Sequence, residues 1–474
     1  MSPRALETLL GELEGSVTVA DDGRVTVSDE EKLRSAPVDT LANTAVFGNT
    51  GQQAAARWLL WELGQVLAIY PASIHELYMA RGRGEVPLNF TVPAINLRAM
   101  AYDSARAVFR AALARRVGAL IFEIARSEMG YTNQRPAEYL SVVTAAAIKE
   151  GYRGPLFVQG DHFQVNTKKF KIDPDAELQA VSDLANEAIR AGFYNIDIDT
   201  STLVDLSYPT VDEQQRKNYE VCARLTSFIR EREPQGITIS VGGEIGEIGE
   251  KNSDETELRA YTDGYNRTLP KGMVGLSKIS IQTGTSHGGV PLPDGTLAQV
   301  KIDFNVIKEL SRVAREAYGM GGAVQHGAST LPDEAFNQFV QNEAAEVHLA
   351  TGFQNIVYDH EAMPKELRER IYEHIRTAHA NERKEGQTEE QFIYKTRKKG
   401  LGPFKEDLWG LVEDVRGAIR TSLEEKFGFL FDQLNVGDTM ELASRYAPHI
   451  EVHKGLEDFG TTVSPAEDTS ELAD

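Results

Sequence analysis

Three histidines stand directly after short β-rich runs, each with glycine nearby: Gly160-Asp161-His162, Thr285-Ser286-His287-Gly288 and Gln325-His326-Gly327. Three neutral imidazoles leave one coordination position open, which is what a catalytic zinc ion needs. One histidine beside glycine is more often a loop or core residue. Three in equivalent places, flanked by small residues that permit close approach, point to a metal site. Two carboxylates end other runs in the same way, Asp199 in Ile196-Asp197-Ile198-Asp199 and Glu244 in Val241-Gly242-Gly243-Glu244. They suit support of the ligands or a second, alternative metal position. Each also reads as an ion pair or, for Asp199 before Thr200 and Ser201, as a helix cap. Asp161 can move a proton at a hydroxyl held beside it. Gly288, Gly327 and Ser329 open loops whose backbone amides can receive a phosphate. The bland reading is that tight turns require glycine anyway. His75, His360, His374, His379, His449 and His453 fall in helical or terminal contexts, where surface roles are expected.

Groups so far apart in sequence converge only if the runs that carry them are strands ending on one face. Eight such strands are expected: Asn89–Asn96, Gly118–Ile124, Pro155–Gly160, Tyr194–Asp199, Gly236–Gly242, Leu276–Thr283, Gly322–Gln325 and Glu346–Ala350. Amphipathic stretches such as Ala99–Arg115 and Asp175–Ala191 lie between them, the pattern of parallel strands joined by crossover helices. Eight units predict an α/β protein built on a closed (β/α)8 TIM barrel, whose active sites sit at the C-terminal ends of the strands. The competitor is a doubly wound open sheet, which periodicity alone does not separate. No Gly-x-Gly-x-x-Gly follows the first strand. Residues 1–71 read as a helical N-terminal arm, 72–360 as the catalytic barrel, 361–459 as a C-terminal helical extension with long helices at Pro364–Glu385 and Lys405–Phe427, and 460–474 as a disordered acidic tail.

The 474 residues exceed the ~250 of one such barrel, so a barrel with additions fits, and 41% hydrophobic composition supplies its core. A formal charge of −21 argues against docking to nucleic acid or to an anionic membrane. A phosphorylated ligand must therefore be met by local donors. With Cys222 as the only cysteine, an intrachain disulfide and a four-cysteine zinc module are excluded, and a reducing cytoplasm is the expected location. Neither a secretory signal nor a membrane span is visible.

On these residues the sequence resembles the class II fructose-bisphosphate aldolase family, from about Ser73 to Tyr358. The resemblance is carried by Val92-Pro-Ala-Ile-Asn96, Gly160-Asp-His162, Asp199-Thr-Ser201, Glu244-Ile-Gly246, Gly284-Thr-Ser-His-Gly288 and His326-Gly-Ala-Ser329 with Pro332-Asp-Glu334. It implies His162, His287 and His326 as ligands of one catalytic Zn2+, with Asp199 and Glu244 at a second or alternative site for a metal or a monovalent cation. It further implies Asp161 as the group that handles the hydroxyl proton, and phosphate contacts from Gly288, Gly327, Ser329 and Thr351. The implied reaction is reversible aldol cleavage of a ketose 1,6-bisphosphate, fructose 1,6-bisphosphate for preference, in glycolytic carbohydrate metabolism. Its small-molecule partners are then phosphorylated ketoses and triose phosphates, and the implied assembly is a homo-oligomer.

Several family positions are changed. Gly242 stands where a second glutamate is usual. Lys251 and Asn252 replace an acidic pair, so that Glu247, Glu250, Asp254 or Glu255 must move the second proton, Glu250 being the choice here. Val290 and Pro291 hold the place of a lysine, and Ala125, beside Arg126, that of a serine. His348 replaces an asparagine and can still hydrogen-bond the reacting carbon's oxygen. A basic run, Lys395, Arg397, Lys398, Lys399 and Lys405, reads either as a solvated loop or as a phosphate contact that offsets the missing lysine. Two further readings stand beside the aldolase: a C4 epimerase of a ketose phosphate working by retro-aldol chemistry, and a non-catalytic partner subunit on the same scaffold.

Overall fold

The computed structural model describes residues 3–246, 251–284, 302–459 and 472. Two short strands, β1 (Val17–Val19) and β2 (Val25–Val27), pair antiparallel near the N-terminus, and β3 (Ile69–Ala72) follows the long helix Thr50–Val66. The eight expected strands are β4 (Val92–Asn96), β5 (Ile121–Ala125), β6 (Gly154–Gln164), β7 (Asn195–Asp199), β8 (Ser240–Glu244), β9 (Lys278–Ile281), β10 (Ala323–Gln325) and β11 (Glu346–Leu349). Each pairs in parallel with the next, and β11 pairs with β4 through Glu346↔Val92 to Leu349↔Ile95. That last ladder closes the sheet, so the protein is a (β/α)8 barrel and not a doubly wound sheet.

A ninth strand, β3, joins this sheet without entering the ring. It pairs with β6 at Gly154–Phe157, below the segment where β6 meets β7. The fork is held by Asn195, whose amide donates to the carbonyls of Ala72 and Val158 (both 3.1 Å) while its oxygen accepts from the Ile74 amide (2.8 Å). The N-terminal arm is not, as the sequence predicts, helical through residue 71. The chain instead leaves the helix Thr50–Val66 with Ala68 in the left-handed region (φ 54°), and Pro71 sits on an edge-type strand where proline is tolerated. At the other end, the expected helix Lys405–Phe427 is two helices, Lys405–Trp409 and Glu413–Gln433, parted near Gly410.

The core spans the barrel wall and the helices around it in one apolar cluster. The barrel interior is different. Inward positions carry Glu123 on β5, Gln159 on β6, Asp197 on β7, Lys278 on β9 and Glu346 on β11, all buried. Lys278 donates to Glu346 (2.5 Å) and Gln159 (2.8 Å) and faces Asp197 at 2.9 Å. Gln159 in turn donates to Glu123 (2.9 Å) and Glu346 (3.0 Å), and the Tyr78 hydroxyl donates to Glu346. This layer accounts for Gly242. A Cβ there would lie 2.3 Å from Asp197 Oδ1 and 2.9 Å from Lys278 Cε, so the Asp197–Lys278 pair occupies the space that a side chain would need.

Candidate active site on the C-terminal rim of the barrel

Above the charged layer the strand ends bring together residues separated by more than two hundred positions. β6 shifts register between Gly160 and Phe163 as it passes β7, and His162 takes a left-handed backbone (φ 39°) within that irregularity. Such a conformation costs ~1–3 kcal/mol for a side chain with a Cβ and persists only where its surroundings enforce it. Gly160 is part of the enforcement, because the Phe163 ring lies 2.4 Å from where its Cβ would be. The irregularity re-aims His162 toward β7 and β8: Nδ1 is 3.2 Å from Asp199 Oδ2 and 3.4 Å from Glu244 Oε2.

His326, one residue past β10, sets its ring centre 4.2 Å from that of His162 and 4.1 Å from that of His348, steeply inclined to both. One ligand atom each from His162, Glu244 and His326 fall within 4.8 Å of one another, all buried. Two imidazoles and a carboxylate at that spacing are a fitting donor set for a first-row divalent ion. His287, Gly288 and Glu250 lie outside the described residues.

Asp199 accepts from the Ser201 amide (3.1 Å), the Ser201 hydroxyl (2.6 Å) and Gln164 (2.5 Å). It thus ties the following turn to His162. Burial would raise its pKa, but His162 first, then Ser201 and Gln164, hold the carboxyl below the usual range. Asp161 sits at the centre of the rim, 3.1 Å from Asn96 Nδ2 and 3.2 Å from His348 Nδ1. Burial alone would raise its pKa, but His162 and His348 hold it well below that of an ordinary aspartate.

His348 is the bridge between the rim and the layer beneath. Its Nδ1 is also 3.2 Å from Glu123, and its Nε2 is 2.6 Å from Glu346. Burial opposes its charge, but Glu123 and Asp161 raise its pKa well above that of a free imidazole. Burial, then Asp161, pushes the Glu123 carboxyl up to about 8 against the pull of His348.

A narrow cavity opens on this cluster, lined by Asp161, His162, His326 and His348 and by Arg98, Gly327, Ser329 and Thr351. Gly327, Ser329 and Thr351 were expected there. Asn96, the last residue of β4, and Arg98, two residues beyond it, were not assigned a role from sequence. Of the replacement acids, Asp254 caps the helix Glu255–Thr268 and pairs with Lys251 (2.7 Å), and Glu255 pairs with Arg259 (2.7 Å), so both are committed away from the cavity. The basic run is likewise partly spent: Arg397 holds Asp359, Lys399 holds Glu382 and Lys405 holds Glu138. His75 is buried rather than superficial, and burial lowers its pKa to about 4.

The protein is a closed (β/α)8 barrel with an imidazole–carboxylate cluster that could hold a metal ion at its C-terminal rim, the face on which barrels of this fold build their active sites. The model of the fructose-bisphosphate aldolase class-II family matches residues 87–405, and the chain belongs to that family. No curated protein sequence matches it. Among solved structures it is similar to a probable tagatose 6 phosphate kinase from Sinorhizobium meliloti 1021, with TM-score 0.51 and 15% identity over 73% of this chain and 97% of that one. It is similar also to a fructuronate-tagaturonate epimerase from Cohnella laeviribosi, with TM-score 0.51 and 12% identity over 89% and 90%. A fructose-bisphosphate aldolase from Campylobacter jejuni gives TM-score 0.46 and 17% identity over 79% and 99%. At these identities the likeness is one of fold. Among the described residues, no helix is long and apolar enough to cross a membrane.

Proposed function

We propose that the protein catalyses reversible aldol cleavage of a ketose 1,6-bisphosphate, with fructose 1,6-bisphosphate as the favoured substrate, using one zinc ion held by His162, His326 and His287 with Glu244 as an alternative ligand. The observation that supports this most is the convergence of His162, Glu244 and His326 beside Asp161 in one cavity. When bound, the metal supplies a Lewis acid that polarises the ketose carbonyl. The protein's own groups do the rest. Asp161, ionised and fixed by Asn96 and His348, accepts the proton of the C4 hydroxyl as the bond between C3 and C4 breaks. His348, with Nε2 on Glu346 and Nδ1 on Asp161, positions that aspartate and adds positive charge beside the oxygen on which charge develops. Gly327, Ser329 and Thr351 seat the phosphate and so set the distance between Asp161 and C4.

Complete cleavage also needs a proton delivered to C3, the role assigned to Glu250, since Asp254 and Glu255 are engaged elsewhere. The changed proton-transfer loop motivates a second reading, in which the aldehyde rotates and the bond re-forms, giving C4 epimerisation with no proton needed at C3. A coupled assay for triose phosphate release from fructose 1,6-bisphosphate, repeated after chelation and zinc restoration, separates them. Stoichiometric, metal-dependent release supports the aldolase. Conversion of the ketose phosphate to its C4 epimer without release supports the epimerase, and neither product from metal-loaded protein defeats both.

A further inference from the structure

The geometry points to Arg98 as the cation that receives the substrate's phosphoryl group, and hence as the residue that makes the cavity selective for a phosphorylated ketose over the free sugar. The inference rests on the ketose-phosphate reading above and adds to it a residue that neither the histidine pattern nor the glycine loops indicate.

Arg98 lies two residues beyond β4 and is 6% exposed. Its Nε donates to Glu128 Oε1 at 2.5 Å, and one terminal nitrogen donates to the Thr351 hydroxyl at 3.2 Å. A guanidinium carries five N–H donors in a planar fork, and these two hydrogen bonds engage only two of them. Glu128 is a fixed counter-charge, since it also accepts from Asn96 (2.9 Å) and from the Ala125 amide (2.9 Å). The pair therefore orients the guanidinium from behind and leaves its outer edge toward the cavity.

What that edge faces is a seat already shaped for an anion. Thr351 opens the helix Thr351–Asp359, and Ala350 ahead of it supplies no capping side chain, so the first-turn amides are available to a ligand. Gly352 lies so close to the loop after β10 that a Cβ would be 2.6 Å from the Ser329 carbonyl oxygen, which presses helix start and loop into one wall. Of the described residues lining the cavity, Arg98 is the only lysine or arginine. Lys398, from the turn Arg397–Gly400, lies 5.4 Å above the Tyr131 ring and does not line the cavity; burial, then Arg98, lowers its pKa to about 7, so Arg98 carries the positive charge of this wall. A phosphoryl dianion placed against Thr351, Ser329 and the helix start then meets a buried, pre-oriented guanidinium, the strongest neutral-pH partner a side chain offers it.

The test is calorimetric titration of inorganic phosphate into metal-loaded protein, comparing wild type with Arg98→Gln, with Arg98→Gln/Glu128→Gln, and with Arg312→Gln. The double variant removes both charges of the buried pair, so it stays folded even if the single variant leaves Glu128 uncompensated. Arg312 pairs with Glu316 on the surface and controls for general charge. The expected result is phosphate affinity ~10- to 100-fold weaker in the double variant and unchanged in Arg312→Gln. In turnover, KM for the phosphorylated ketose rises more than kcat falls. Equal affinity in wild type and double variant, no phosphate binding by wild type, or equal weakening in Arg312→Gln each overturns the assignment. If Arg98 governs phosphate affinity but the wild type neither cleaves nor epimerises a ketose bisphosphate, the ketose reading fails and the anion seat stands. If cleavage proceeds with phosphate affinity independent of Arg98, the reverse holds.

Discussion

Replacing Lys278 by methionine tests whether the charged layer under the site is held together by that one cation. Lys278 is fully buried and serves Asp197, Glu346 and Gln159 together. Its loss falls unevenly on the two carboxylates. Glu346 keeps the Tyr78 hydroxyl, Gln159 at 3.0 Å and His348 at 2.6 Å. Among the described residues, Asp197 keeps one ion-pair partner, His348, at 3.7 Å, and burial together with Glu346 already raises its pKa against the pull of Lys278. Breaking a buried pair by removing one partner costs ~3–5 kcal/mol, so a loss of about that size is expected at pH 8. The sign of its pH dependence follows from Asp197. Without Lys278 its folded-state pKa rises further above the unfolded ~3.9. The cost is then absent below about pH 4 and grows by up to ~1.4 kcal/mol per pH unit until the folded pKa is passed. Urea unfolding of wild type, Lys278→Met and Lys278→Met/Asp197→Asn at pH 5, 6.5 and 8 reads this directly. The deficit of the single variant narrows toward pH 5, and the double variant recovers most of it. A deficit under about 1 kcal/mol at pH 8, or one independent of pH, refutes the account of Lys278 as the cation that pins this layer.

Alanine at His162 or His326 removes bound metal and activity while the barrel stays folded, measured by elemental analysis and circular dichroism, whereas Asp161→Asn lowers turnover with metal retained. Gly242→Ala drives a Cβ into the Asp197–Lys278 pair and lowers stability by ~1–3 kcal/mol in thermal or denaturant unfolding. Lys454 sits 3.3 Å above the Trp61 ring, and burial first, then Arg190, lowers its pKa to about 7. Because the folded state binds this proton less tightly than the unfolded state, the cost of burying the charge is full below pH 7 and is released as pH rises toward 10.5. Wild type should therefore gain stability relative to Lys454→Met between pH 7 and 9, by at most ~1.4 kcal/mol per pH unit, and a constant difference would sink that reading.

The eight barrel strands were legible because their runs are bounded by turns and separated by amphipathic helices, and the rim residues Asp161, His162, Asp199, Glu244 and His326 because each follows such a run. β3 was not, since Ile69-Tyr-Pro-Ala72 adjoins a helix and contains proline. The inner layer was present in the sequence as alternation, Ile-Phe-Glu123-Ile and Ile-Asp197-Ile, but barrel interiors are normally apolar, and nothing in the alternation says that the carboxylates face inward until Lys278 is placed opposite them. Arg98 and His348 show a different limit. Their side chains matter through neighbours from other strands, and only closure of the ring brings Glu128, Thr351 and Glu346 to them.

The helix Thr50–Val66 is buried from Ala54 to Gln65, and part of what buries it comes from the opposite end of the chain. Trp58 donates to the Lys454 carbonyl (2.8 Å) and Trp61 to that of Val452 (2.6 Å), while Glu62 accepts from the Lys454 amide (3.0 Å). These partners lie 391 to 396 residues apart, which at ~5–20 residues per second is roughly 20–80 s of ribosomal synthesis. Throughout that interval the emerging chain presents two indole rings that its own later residues have yet to cover. The protein's most exposed moment therefore falls during translation, and a holdase that recognises aromatic segments near a nascent N-terminus has this helix as its natural target.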